Sequence, residues 1–287
     1  MPLTHKRTFR VRHYECDAYG HVNHANYVRY MQEAAFDASA AAGYDLARYE
    51  SMGRLWLIRE TEIEYLRPLR YGDVVEVETW VADFRRVRSR RAYVIRCLTP
   101  ATRDAAAPEV VATGHTDWVF MDTSAGRPAS IPEEMMAVFF PEGAPAAPAP
   151  REPFPDPGEP RAHAYRQRRF VEWRDLDTAG HVNNAVYFSY VEEVAVQWAL
   201  TGPLGLVPLV ARKHRIEYLQ QAMLGDELEV VTWFTDLRRT SAVRHTEVSR
   251  VADDARLARV QTIQVWIDPA TGAPAPIAGE FRRGVEA

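Results

Sequence analysis

The segment "DAYGHVNHANY" at residues 17–27 returns as "DTAGHVNNAVY" at residues 177–187. A run repeated 160 positions later constrains the fold more than any bulk property, because a duplicated chain folds into two copies of one unit. The repeat extends past this motif. "IEYL" begins at Ile63 and at Ile216, "GD" at Gly72 and at Gly225, Trp80 matches Trp233, and "DFRR" from Asp83 matches "DLRR" from Asp236, all at an offset of 153. Asp122, Gly126, Pro128 and Ile131 match Asp268, Gly272, Pro274 and Ile277 at an offset of 146. Matches that stay in order while the offset shrinks are what duplication with small length changes leaves. The expected domains are residues 1–140 and 162–287. Residues 141–161 between them read as a linker, because eight prolines within 141–160 exclude helix and central strand. Extended chain of that length reaches about 60 Å.

Both copies carry the same order of elements. A strand is expected at "TFRVRHY" and at "RRFVEW", followed by the motif loop and a helix. Tyr27, Tyr30, Met31, Ala34, Ala35 and Ala38 form one apolar stripe at helical spacing, matched by Tyr187, Tyr190, Val191, Val194, Ala195 and Trp198. Strand-like runs follow: "LWLIRETEIEYL", "VVEVETWVADF", "RAYVIRCL" and "VVATGHTDWVFMD", then "LVARKHRIEYL", "ELEVVTWFTDL", "AVRHTEVSR" and "ARVQTIQVWID". No helix separates these strands, so the sheet of each α+β unit must be antiparallel, with its helix covering one face. Pairing two such sheets would close their edges.

Composition excludes several classes. A formal net charge of -4 argues against a nucleic-acid partner. No uncharged apolar run is long enough to span a bilayer, and the N-terminal residues lack a leader's apolar core. Two cysteines, Cys16 and Cys97, are too few for a disulfide framework, which points to a reducing cytoplasm. Neither a serine-nucleophile elbow nor a glycine-rich phosphate loop is present. His21 and His24 have the spacing of two metal ligands on a helix, but Asn184 replaces the second in copy two, and no metal is expected. Cys16 adjoins Asp17, yet Leu176 stands in its place in copy two, which argues against a nucleophilic thiol.

Asp17, Gly20, His21, Val22 and Asn23, with Tyr27 beginning the stripe, resemble the signature of hotdog-fold thioesterases of the 4-hydroxybenzoyl-CoA thioesterase type. "ECDAYGHVNHANYVRYMQEA" is similar to the short bacterial acyl-CoA thioesterases. "WRDLDTAGHVNNAVYFSYVEE" is closer to the fatty acyl-ACP thioesterases, which carry two hotdog units in one chain. The resemblance implies two tandem hotdog domains, each an antiparallel sheet wrapped around one long helix, forming a pseudo-twofold pair with substrate in the seam. It also implies hydrolysis of acyl-CoA or acyl carrier protein thioesters, with CoA or phosphopantetheine entering as part of the substrate and no separate cofactor. Copy two departs from the acyl-ACP type. Ala179 stands where an asparagine is expected, Gln221 and Ala222 replace a Glu-Cys pair, and copy one has Tyr19 at the asparagine position; both copies fit the acyl-CoA type better.

The residue types suit that chemistry. A carboxylate before a helix supplies a base or nucleophile, and free amides with the positive end of the helix stabilise a developing oxyanion. By the resemblance, Asp17 and Asp177 take the first role. Amides from Gly20 to His24 and from Gly180 to Asn184 take the second, with the glycines allowing close approach of substrate. His21 and His181 either contact the thioester or tie down the loop. Asn23 and Asn183 either orient the loop or cap the helix. Glu33 and Glu193 stand as a second possible base or as solvated ion-paired side chains. Arg85, Arg86 and Arg88, within "RRVRSRR", either grip substrate phosphates or decorate a hairpin. Two rivals stay open: an acyl-CoA hydratase or dehydratase of the same fold, disfavoured by the four-residue spacing of Asp17 and His21, and a non-catalytic acyl-CoA-binding protein. A monomeric pseudo-dimer and a further homodimer are both compatible with the sequence.

Overall fold

The computed structural model describes residues 1–101, 108–143, 148, 151–201, 209–268 and 270–286. The chain divides into two compact units, Met1–Glu152 and Pro153–Ala287. Residues 144–147, 149 and 150 of the proline-rich segment lie outside the described residues.

The first unit runs β1 (Thr4–Arg10), α1 (His24–Ala41), α2 (Leu46–Ser51), β2 (Arg54–Tyr65), β3 (Val74–Phe84), β4 (Arg88–Thr99), β5 (Glu109–Asp122), β6 (Arg127–Pro128) and α3 (Glu133–Phe139). Its sheet has the order β1-β3-β4-β5-β2, antiparallel throughout, with β6 appended to β5. The second unit runs β7 (Tyr165–Phe170), α4 (Val186–Thr201), β8 (Leu209–Tyr218), β9 (Glu227–Thr235), β10 (Ser241–Arg250), β11 (Ala255–Trp266) and α5 (Gly279–Glu286). Its order is β7-β9-β10-β11-β8, again antiparallel. The repeat in sequence is therefore a repeat in topology.

Local pattern explains the main elements. In β3, Val75, Val77, Thr79 and Val81 alternate inward, while Glu76 and Glu78 face outward to Lys6 and Arg96 at 3.0 and 2.5 Å. The predicted stripe on α1 is buried in full, and the helix lies on β1 and β3. Tyr30 stacks on Phe9 of β1 with ring centroids 4.7 Å apart. In α4, Tyr187, Tyr190, Val191 and Val194 are buried, and Ala195 and Trp198 are half-buried. Among the described residues no helix is long and apolar enough to cross a membrane.

Two expectations need correction. The first strand of each unit ends at Arg10 and Phe170, several residues earlier than the pattern suggested. Val11 and Val171 instead donate their N–H groups to the carbonyls of Asp73 and Asp226, and the chain enters a 3-10 turn. The short helices α2, α3 and α5 had no sequence counterpart. Asp45 caps α2 through its side chain, and Met135 and Phe139 of α3 close a satellite core with Tyr44, Tyr49 and Phe120. Within the proline-rich segment, Arg151 and Phe154 make contacts of their own. Arg151 enters the first unit and bonds Asp83 at 2.6 Å and Asp117 at 2.8 Å, while Arg90 grips Asp117 through two bonds at 2.7 and 2.8 Å. Phe154, three residues on, belongs to the second unit and lies under Arg215 and Arg259.

Candidate active site

The motif loop is a tight turn closed on itself in both units. Gly20 N–H donates to the Asp17 carbonyl at 3.0 Å, and Asp17 N–H to the His21 carbonyl at 2.8 Å. Asp17 Oδ1 accepts from the Tyr19 and His21 amides at 2.9 and 3.1 Å. In the second unit Gly180 N–H donates to the Asp177 carbonyl, and Asp177 Oδ1 accepts from Ala179 N–H, at 3.0 and 2.9 Å. Gly20 and Gly180 have φ of +75° and +82°, a conformation that penalises any residue with a Cβ. A Cβ would meet nothing within 4 Å at either position. Backbone conformation, not crowding by the protein, therefore accounts for the glycines.

The helix that follows is held at the same mouth. Asn23 and Asn183 accept from the amides of Ala25 and Ala185, both at 2.9 Å, as N-caps. Val22 and Val182 donate N–H to the carbonyls of Leu69 and Ala222, tying the loop to the segment before the third strand. The Tyr27 hydroxyl accepts from Leu69 N–H at 3.0 Å, and Tyr187 makes the matching bond with the Ala222 backbone.

Beneath each loop lies a carboxylate that the sequence reading missed. Glu15 is buried, and its Oε2 accepts from the Tyr30 hydroxyl at 2.6 Å and from Arg12 N–H at 2.7 Å. Its carbonyl accepts from Asn23 N–H and from Asn26 Nδ2, at 2.9 and 2.8 Å. Asp175 repeats the device with Tyr190 at 2.8 Å and Glu172 N–H at 3.0 Å. Burial first, and then the neighbouring carboxylate, push the Tyr30 and Tyr190 hydroxyls far above the ordinary phenol range. The signal was available: residues 15 and 175 are both acidic at the offset of the opening motif.

Each expected site residue can now be located. Asp17 and Asp177 are half-buried at the helix mouth. His181 Nδ1 lies 3.7 Å from Asp177 Oδ2, and its buried Nε2 has no hydrogen-bond partner among the described residues. Burial lowers the basicity of His21, and Arg70 lowers it further against the pull of Asp17. His24 packs edge-on against Tyr65. The amides of Gly20, His21, Val22 and Asn23 are all engaged within the first unit, as are those of Gly180, Val182 and Asn183 in the second. The broad set of oxyanion donors expected from sequence therefore contracts. In the second unit the Asn184 N–H makes no hydrogen bond among the described residues, and its buried Nδ2 is also unpartnered.

Other candidates lie elsewhere. Glu33 sits nine residues into α1, about 14 Å along its axis. It is exposed and bonds Arg7 of β1 at 3.1 Å, and Glu193 pairs in the same way with Arg169 of β7. Both are helix-to-strand ion pairs at the surface. Arg85, Arg86 and Arg88 are exposed at the β3–β4 turn. That turn is at the opposite end of β3 from the first unit's own motif loop, about 33 Å away by strand length. A pocket of about 470 Å³ lined by Arg161, His163, Phe234, Asp236 and Leu237 is likewise at the far end of β9. Burial pushes the Cys16 thiol up, away from a reactive thiolate.

A five-stranded antiparallel sheet wrapped on one helix, with a turn-bound Asp at the helix mouth, occurs twice in this chain. Solved structures show the same double hotdog fold. One assigned as an oleoyl thioesterase from Lactobacillus plantarum superposes with a TM-score of 0.81 at 19% identity, covering 93% of this chain and 98% of that one. The 12:0-ACP thioesterase from Umbellularia californica gives 0.71 at 20% identity, covering 91% and 93%. The thioesterase-like superfamily profile matches residues 11–139 and 171–285. The chain belongs to that superfamily. Among curated relatives, the chloroplastic acyl-[acyl-carrier-protein] hydrolase FATB2 of Cuphea viscosissima is 26% identical over 200 residues, covering 67% of this chain and 47% of its own. The chloroplastic palmitoyl-acyl carrier protein thioesterase of Arabidopsis thaliana is 23% identical over 275 residues, covering 91% and 63%. The chain thus spans about half of the first relative's length and under two-thirds of the second's.

Proposed function

We propose that the protein hydrolyses acyl thioesters borne on a phosphopantetheine arm, as acyl-CoA or acyl carrier protein, to the free acid and thiol. The observation that carries this reading is the grouping at the second helix mouth. There the Asp177 carboxylate stands 3.7 Å from His181, beside the unengaged donors of Asn184. In the proposed reaction Asp177 acts as base, or as nucleophile, toward the thioester carbonyl. With Asp177 as base, it takes a proton from water, whose oxygen bonds the carbonyl carbon. The Asn184 N–H and the positive end of the helix steady the oxyanion. Collapse breaks the C–S bond, and the thiolate leaves with a proton delivered through His181. The 3.7 Å separation is loose for a hydrogen bond, as catalytic contacts are before substrate tightens them. In the first unit Asp17 occupies the same position, with His24 in place of Asn184. The second unit is therefore proposed as the stronger site. Two free cysteines agree with reaction in the cytoplasm.

The test is thiol release from acyl-CoA and acyl carrier protein thioesters by the wild type and the Asp17→Asn, Asp177→Asn and doubly substituted proteins. A loss of about a hundredfold or more in the double variant is expected, most of it from Asp177→Asn. Undiminished hydrolysis in the double variant would falsify the assignment. Binding of acyl-CoA with no thiol release by the wild type would favour a binding protein instead.

A further inference from the structure

The two units differ most in their interiors. In the first, Tyr93 of β4 and Trp118 of β5 point inward; the Tyr93 hydroxyl shares a hydrogen bond with Thr116 Oγ1 at 2.9 Å, and Trp118 Nε1 donates to the same oxygen at 2.6 Å. The matching positions of the second unit, at offsets of 153 and 146, hold Thr246 and Gln264, and Thr61 becomes His214. Two large aromatic side chains are thus exchanged for smaller polar ones, while Thr61 gives way to an imidazole.

What remains in the second unit is a buried polar row. Arg244 of β10 stands opposite Thr262 of β11, which stands opposite His214 of β8, and Gln264 is two residues along the same face. All four are more than nine-tenths buried. The row lies under α4: Arg244 Nη1 donates to the Val191 carbonyl at 3.0 Å, and Phe188 meets His214 edge-on at 5.4 Å. Arg244 Nε, Thr262 Oγ1 and Gln264 Oε1 have no hydrogen-bond partner among the described residues. Glu192 is the acidic group whose field reaches Arg244, but no carboxylate forms an ion pair with it among the described residues. Burial pushes the guanidinium down to about 10, which leaves it cationic at neutral pH. A buried cation without an ion pair is strongly unfavourable for folding alone. The equivalent Arg91 is also buried, against the Phe139 ring.

We propose that the Arg244, Thr262 and Gln264 row receives a carboxylate at the distal end of the acyl group, so that the favoured substrates are ω-carboxyacyl thioesters. This rests on the thioesterase reading and specifies its substrate. The Arg244 guanidinium neutralises the incoming charge, and the Thr262 hydroxyl donates to it. Val191 is five residues into α4, about 8 Å along the axis from the helix mouth, a span that a medium-length diacid bridges. A plain alkyl end would leave the Arg244 charge without a counter-ion and the Thr262 hydroxyl without an acceptor.

The test compares glutaryl, adipyl and suberyl thioesters with pentanoyl, hexanoyl and octanoyl thioesters, on CoA and on acyl carrier protein. Direct binding of adipate is measured by calorimetry alongside. The wild type should prefer the carboxyacyl series and bind adipate. In Arg244→Met, kcat/KM for carboxyacyl substrates should fall about ten- to hundredfold while the alkyl series holds or rises, and adipate binding should vanish. Melting of Arg244→Met reports on the fold; should it fail to fold, the Thr262→Val, Gln264→Leu double variant decides by the same ratio. A wild-type preference for alkyl substrates, unchanged by these substitutions, overturns the receptor and leaves the thioesterase reading standing. No hydrolysis of any thioester, with Arg244-dependent adipate binding, does the reverse. Neither hydrolysis nor adipate binding overturns both.

Discussion

Removing one oxygen from the strut under the motif loop gives a sharp test of what holds the site in place. Tyr190→Phe deletes only the hydroxyl that donates to Asp175 Oδ2 at 2.8 Å. The ring stays, and with it the Arg169 guanidinium that lies 3.8 Å over its centroid. A hydrogen bond to a charged acceptor contributes about 1.5–3 kcal/mol, and the buried Asp175 would keep Glu172 N–H as a side-chain partner. The expected cost is therefore about 2 kcal/mol. Tyr30→Phe, which loses the 2.6 Å bond to Glu15, should cost the same. The two sites share no partner in their own units, so the double variant should lose about 4 kcal/mol. Urea denaturation followed by tryptophan fluorescence measures each loss, and a cycle with Asp175→Asn isolates the pair term. Asp175 also anchors Asn183 N–H through its carbonyl, so loosening it disturbs the loop that carries Asp177. Thioester hydrolysis should then fall more in Tyr190→Phe than in Tyr30→Phe. A stability change below about 0.5 kcal/mol in Tyr190→Phe, the range of an exposed substitution, would refute the strut.

Other expectations follow from the same accounting of buried groups. Arg151→Met leaves the Asp83 side chain, only 4% exposed, without its paired cation, and should cost about 3–5 kcal/mol by urea midpoint. Adding Asp83→Asn should recover part of that loss. Burial opposes ionisation of Asp117, but Arg90 and Arg151 outweigh it and hold the carboxyl below its usual range. The stability this gives is whole above about pH 4 and drains as pH falls through the lower folded value, so an acid titration of stability should flatten in Arg90→Met. At the other extreme, the raised Tyr30 and Tyr190 hydroxyls contribute fully below about pH 10 and lose ground above it, which phenolate absorbance during alkaline unfolding would show. Gly180→Ala meets no steric obstacle, so its cost should be the left-handed strain alone, about 1–2 kcal/mol, with a matching drop in hydrolysis.

The elements that read clearly in the sequence are those whose pattern and environment agree. β3 alternates because its two faces differ, and α1 shows its stripe because one side is buried along its whole length. The first strand was misplaced for the opposite reason. Val11 is buried outside the strand, held by Asp73 across a turn, so alternation ran past the true end. At the site, repetition exposed Asp17, His21 and Asn23, but it hid Glu15, whose partner in the second copy is written as Asp175. Tyr30 and Tyr190 were counted as apolar because a hydroxyl that reaches a buried carboxylate leaves no trace in periodicity. Which amides are already engaged is a matter of hydrogen-bond geometry, and composition carries none of it. The far position of Arg85, Arg86 and Arg88 from their own loop, by contrast, needed only the length of β3.

Duplication also explains how polarity could enter one core. In an assembly of identical chains, any buried charge appears in every copy, and each copy bears its cost. Within one duplicated chain the cost falls on one unit only. The first unit keeps Tyr93 and Trp118 bonded to Thr116, and Arg91 there rests against the Phe139 ring of a helix that closes a satellite core with Tyr44, Tyr49 and Phe120. The second unit retains the arginine at the same register, with Thr246 and Gln264 where the first has Tyr93 and Trp118. An arginine kept where its surroundings have turned polar has a different physical meaning from one kept against an aromatic ring. The Phe139 ring face lies 5.7 Å from the Arg91 guanidinium carbon and attracts its charge. In the polar row the Arg244 Nε and the Thr262 hydroxyl are buried without hydrogen-bond partners among the described residues, and both are donors that the proposed carboxylate would engage.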